Sequence, residues 1–173
     1  MGNKAPKPCR ADVLASLHSA LIKPMRTFRI TTDIAAPTER VWQVMSDTER
    51  WPEWTPSVTS VKRLEGGPLV IGSRAVIRQP KFPPALWQVS AIEPGRSFTW
   101  VSVAPGLRVV GHHSVEPTAG GSHATLSLDL QGVLGGLWGR LTKNITERYL
   151  GFEARGLKAR SENPGFRHGQ TGR

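Results

Sequence analysis

The spacing of apolar positions changes several times along the chain, and each change marks a new element. From Arg26 the period is two, so Phe28, Ile30, Thr32 and Ile34 share one face of a predicted strand. In AAPTERVWQVMSD the period lengthens. Pro37 pre-sets a helical start, Glu39 stands in the first turn, and Val41, Trp42, Val44 and Met45 form an apolar stripe. Asp47 is placed to cap a second short helix through TERW, which Pro52 and Pro56 end. Six strand-like segments follow: Val58 to Leu64, Ser73 to Gln79, Ala85 to Ile92, Ser97 to Val103, Leu107 to Glu116 and Ser122 to Leu130. Turns such as Glu65-Gly66-Gly67-Pro68 and Glu93-Pro94-Gly95-Arg96 separate them, and loops this short predict an antiparallel meander rather than βαβ crossovers. The last element, Leu134 to about Ala159, carries Leu137, Leu141, Ile145, Tyr149, Phe152 and Leu157 at helical spacing and predicts one long helix. Gly139, Gly151 and Gly156 within it each cost up to ~1 kcal/mol relative to Ala. They point to close backbone approach, with tertiary packing holding the helix together.

Both ends differ from this middle. Residues 1–25 read as a basic extension, disordered in part, with Val13, Leu14, Leu17, Leu21 and Ile22 at the spacing of a short amphipathic helix. Residues 161–173 read as a disordered tail, leaving 26–160 as the folded domain. An apolar fraction of 38% in 173 residues supports one such core. The single cysteine, Cys9, excludes an internal disulfide framework and any multi-cysteine metal site. No apolar run approaches the ~20 residues that cross a bilayer, and the N-terminus lacks the apolar stretch of a secretory signal, so a cytoplasmic protein is expected. The net charge of +10 gathers at the ends, where Lys4, Lys7, Arg10, Lys23 and Arg26 oppose only Asp12, and Arg155, Lys158, Arg160, Arg167 and Arg173 oppose only Glu162. This is the pattern of solvated tails, capable of weak contact with an anionic surface but not of specific nucleic-acid recognition.

Ile34-Ala35-Ala36-Pro37-Thr38-Glu39-Arg40-Val41-Trp42 and Asp47-Thr48-Glu49-Arg50-Trp51-Pro52-Glu53-Trp54 carry a resemblance. Gly72-Ser73-Arg74-Ala75 and Glu93-Pro94-Gly95-Arg96-Ser97-Phe98-Thr99-Trp100 extend it over about residues 26–160. The chain resembles the START-like (SRPBCC) superfamily in its bacterial polyketide cyclase/dehydrase-type branch. The resemblance implies an α+β helix-grip fold: a curved antiparallel sheet of about seven strands wrapped around a long C-terminal helix, with two short helices after the first strand. It also implies a hydrophobic pocket for a lipid, polyketide, sterol or similar molecule. It supplies no catalytic set, because cyclases, dehydratases, carriers and sensors share the fold.

Strand alternation nominates the pocket lining independently of the family. It turns Leu126, Leu128, Leu130, Val115 and His113 inward, with Ala75, Ile77 and Gln79 on a third strand. Trp87 and Val89 share the inward face of the next strand, and Phe98, Trp100 and Ser102 that of the one after. From the helix, Leu141, Ile145, Tyr149 and Phe152 are the expected lining. Trp51 and Trp54 either plug one end of the pocket or form a gate with Phe82. His113 and Tyr149 are the candidates for moving a proton, His113 because an imidazole ordinarily titrates near neutrality. His112 and His113 point to opposite faces and cannot share a metal, no HExxH-like spacing occurs, and neither metal nor cofactor is expected. The shortage of inward polar groups favours binding of a small hydrophobic molecule by a monomer or homodimer. A cyclase or dehydratase using the same pocket is the alternative, and a basic accessory protein contacting anionic membrane or nucleic acid through its tails is the third reading.

Overall fold

The computed structural model describes residues 26–168. The expected short helix at 11–22 and the basic residues of the N-terminal extension lie outside them. Seven strands form one antiparallel sheet in the order β1-β7-β6-β5-β4-β3-β2. They are β1 Arg26–Ile34, β2 Ser60–Arg63, β3 Arg74–Arg78, β4 Ala85–Glu93, β5 Ser97–Ala104, β6 Leu107–Thr118 and β7 Gly121–Gln131. From β2 to β7 each strand pairs with the next, as the short loops require. Only β1 crosses over, pairing with β7 from Arg26 opposite Leu130 to Ile34 opposite Ser122. The β4–β5 register shifts between Val89 and Ala91, an irregularity of the kind that bends a sheet.

The crossover consists of α1 Thr38–Ser46, a 3-10 turn Thr48–Arg50, and α2 Trp51–Trp54. Pro37 is the N-cap of α1. Asp47, expected to cap the second helix, makes no side-chain capping bond. Val41, Val44 and Met45 bury the inner face of α1, while Trp42 lies edge-on to Phe98 of β5 at 6.2 Å between ring centres.

The C-terminal helix departs from expectation. It is two helices, α3 Gly135–Leu141 and α4 Lys143–Glu162, broken at Thr142. The Thr142 hydroxyl donates to the Trp138 carbonyl at 2.8 Å, local side-chain bonding that competes with the helical ladder. Helix α4 lies across the cupped sheet and completes the helix-grip arrangement. A Cβ at Gly156 would overlap the Trp54 carbonyl, so only glycine lets α4 approach α2 this closely.

Residues 161–168 are not a free tail. Helix α4 runs on through Glu162, and the chain then folds back over α2. The His168 amide donates to the Glu53 carbonyl at 2.9 Å, and Arg160 donates to the Phe166 carbonyl at 2.8 Å. Glu53 also pairs with Arg160 at 3.2 Å and Arg167 at 3.6 Å. Phe166 packs against the core, the apolar contact that the composition of this segment concealed. Among the described residues no helix is long and apolar enough to cross a membrane.

Candidate functional site

A cavity of about 340 Å³ separates the sheet from α3 and α4. Its sheet wall is built from large apolar side chains at alternate strand positions, including Ile77, Trp87, Trp100, Leu128 and Leu130. Trp100 is 4% exposed and lies 5.2 Å from Trp87, 5.4 Å from Phe98 and 5.1 Å from Trp51, measured between ring centres. Gly111 on β6 makes room for it: a Cβ there would fall 2.5 Å from Trp100 Nε1.

The helix wall is different in kind. Trp138, Thr142, Thr146, Tyr149 and Glu153 recur at helical spacing along the cavity. At the α3 end the wall is open, with Trp138 40% exposed and Leu134 half-exposed beside it. At the far end Glu153 is buried, and Trp51 closes the floor.

The structure brings Gln79, Trp87, Trp100, Ser102, His113 and Tyr149 to the cavity surface. Leu141, Ile145 and Phe152, expected there too, do not line it. Leu141 is 73% exposed, Ile145 is half-buried, and Phe152 lies outside between Arg148 and Arg155, whose guanidiniums sit 5.1 and 5.3 Å from its ring centre. The inward stripe is shifted by one residue, about 100° around the helix, onto Thr142, Thr146 and Glu153. The helix carries more than one apolar stripe, and Leu150, Ala154 and Leu157 are the ones that enter the core.

Trp51 and Trp54 pack against each other, 5.7 Å apart between ring centres. The Trp51 indole donates to the Met45 carbonyl at 3.1 Å, and Trp54 packs behind it, under Gly156 and off the cavity surface. Phe82, on the β3–β4 loop, lines the cavity as Trp51 does and lies edge-on to Tyr149 at 5.8 Å.

Of the two candidates for proton transfer, His113 departs from the expected titration. His113 is buried in an aromatic cage, stacked on Phe98 at 4.7 Å and touching Trp51 and Trp100. Burial, helped by the neighbouring His112, pushes its pKa down to about 3, so the imidazole is neutral at physiological pH and the premise of titration near neutrality fails. Its Nδ1 has no hydrogen-bond partner among the described residues. The Tyr149 hydroxyl donates to the Pro80 carbonyl, and burial raises its pKa.

The titratable group that sequence reasoning missed is Glu153. It lines the cavity at 8% exposure, and burial pushes its pKa up to about 7 against the opposing effect of one hydrogen bond from Ser57 Oγ at 3.0 Å. Ser57 in turn shares a 2.8 Å hydrogen bond with Thr55, so a short hydroxyl chain ends on the carboxyl. Gly156 held the available signal. A glycine that marks a contact face places Glu153, three residues earlier, and Tyr149, seven earlier, on that same face. Among the described residues no group of three or more His, Cys, Asp or Glu is arranged to hold a metal.

The family model described as polyketide cyclase/dehydrase and lipid transport matches residues 25–162. The chain belongs to that family. No curated protein matches the sequence. Solved structures are similar in fold alone. A protein from Thermus thermophilus is 18% identical, with 82% of this chain and all of that one covered and a TM-score of 0.66. The Zhui aromatase/cyclase from a Streptomyces species is 18% identical over 81% of this chain and 98% of that one, with a TM-score of 0.61. Ara h 8.0201 is 15% identical over 79% and 97%, also with a TM-score of 0.61. For a member of this family, a cavity between sheet and grip helix is a hydrophobic ligand-binding architecture.

Proposed function

We propose that this protein binds or carries a small, largely apolar molecule in the cavity between the sheet and α4. The observation that carries the reading is an aromatic and aliphatic wall facing about 340 Å³ of unfilled space, a volume within the usual range for small-molecule sites. A core of the same composition with no ligand to hold would be expected to close, because interiors pack to crystal-like density. Neutral His113 and engaged Tyr149 leave little machinery for proton transfer, which favours binding over turnover.

A cyclase or dehydratase using the same cavity is the second reading, favoured by one observation: Glu153 can exchange a proton near neutral pH. Both readings are tested with 2-naphthalenemethanol and Thr146→Trp, which places a large ring across the cavity. The wild type should bind the probe saturably at one site, and the variant should lose at least about tenfold in affinity while remaining folded. Undiminished binding by the variant, or no binding of neutral apolar probes by either protein, would remove the proposal. For the enzyme reading, a poly-β-ketone substrate should be converted by the wild type and bound but not converted by Glu153→Gln. Absence of product from the wild type would reject it.

A further inference from the structure

An apolar binding site does not account for the acid at its floor. A carboxyl in an apolar cavity is costly unless something compensates its charge, and a glutamine would satisfy Ser57 equally well. Among the described residues the lining holds no lysine or arginine. Its titratable members are Glu153 from α4, Tyr149 one turn before it, and His113 from β6. Tyr149 carries no positive charge, and His113 is neutral, so among the described residues no group on the cavity wall can neutralise the carboxylate.

The surroundings favour a cation. Trp51, Trp87 and Trp100 line the same cavity, with Trp51 tilted 65° and Trp87 tilted 40° to Trp100. Indole faces attract positive charge through the ring quadrupole, most strongly where water is excluded. Indoles beside an acid that has no cationic partner among the described residues are suited to an ammonium group on an apolar body.

We infer that the cavity selects an apolar molecule bearing one basic nitrogen, whose ammonium pairs with Glu153 while tryptophan faces cover its hydrocarbon. This rests on the cavity being a binding site and specifies the class of ligand. Pairing favours the ionised carboxyl. A Glu153 that is about half protonated at neutral pH therefore surrenders part of a proton to the buffer as the amine binds.

The test compares 2-naphthylmethylamine with 2-naphthalenemethanol, matched in size, by calorimetry at pH 7 in phosphate and in Tris. The amine should bind about tenfold or more tightly than the alcohol, consistent with a desolvated ion pair joined by cation–π attraction. Its apparent enthalpy should differ between the buffers in the sense of proton release, a measurement that needs no variant. Glu153→Gln should erase the preference for the amine over the alcohol. Equal affinities in the wild type, or an amine preference that survives Glu153→Gln, would overturn the inference. So would tighter binding of 2-acetonaphthone than of the amine, the mark of a protonated Glu153 donating to a carbonyl. In each of these cases alcohol binding would leave the cavity reading standing, whereas failure of all three probes would remove both.

Discussion

The two walls of the cavity are built on opposite plans. The sheet wall is crowded: Trp87, Trp100, Phe98 and His113 pack ring against ring, and even the backbone at Gly111 is cut back to admit an indole. The helix wall is sparse, presenting Thr142, Thr146, Tyr149 and Glu153 to open space. Burial and dispersion scale with contact, so the sheet wall holds the fold together and the helix wall is free to set what the cavity accepts.

The comparison is most directly broken at Trp100. Trp100→Ala removes a side chain touching four aromatic rings, and denaturant unfolding should register a loss of about 3–5 kcal/mol. A loss below about 1 kcal/mol would mean that the wall is not packed as described.

A second prediction pits one wall against the other through pH. Glu153 is raised from 4.5 to about 7, so its contribution to stability is complete below pH 4.5 and disappears as pH climbs to about 7. His113 is lowered from 6.5 to about 3, so its contribution is complete above pH 6.5 and disappears as pH falls to about 3. Between pH 4.5 and 6.5 the folded chain keeps a proton on Glu153, the unfolded chain keeps one on His113, and the two slopes cancel. Removing either group unmasks the other. Over that window Glu153→Gln should gain about 3 kcal/mol as pH rises, and His113→Gln should lose about as much. Stability curves parallel to the wild type would contradict both assignments.

Smaller effects sharpen the contrast. Gly111→Ala should cost about 1–3 kcal/mol by displacing the Trp100 indole, and it should weaken probe binding as well. Leu141→Ala, on a residue outside the cavity and exposed to water, should change stability by less than about 0.5 kcal/mol and leave binding unaltered. A substantial binding defect there would restore Leu141 to the site.

The sheet was legible in the sequence and the helix wall was not, for a geometric reason. In a strand a one-residue error turns every side chain to the opposite face, so Trp87, Val89, Phe98 and Trp100 admitted a single inward assignment. A helix tolerates a 100° error without breaking its apolar period. Of the expected stripe of Leu137, Leu141, Ile145, Tyr149, Phe152 and Leu157 only Tyr149 and Leu157 are buried, and packing against β1 and α1 brings in Leu150 and Ala154 instead. The break at Thr142 had no sequence mark as strong as proline. Thr55, Ser57 and Glu153 were hidden because their polarity reads as surface, whereas here a hydroxyl chain and an acid are buried together. Residues 162–168 looked structureless because a single apolar residue, Phe166, and one acid on another element, Glu53, hold them down; residues 169–173 lie outside the described residues.

The central claim is that the space beneath α4 is a place for a ligand. A crystal of the protein soaked with 6-bromo-2-naphthalenemethanol tests it directly, because anomalous scattering locates the bromine without reference to any assumed pose. The account predicts one bromine position enclosed by Trp87, Trp100 and the Thr142-to-Glu153 stripe. Side chains filling that volume, with bromine only on the outer surface, would contradict it.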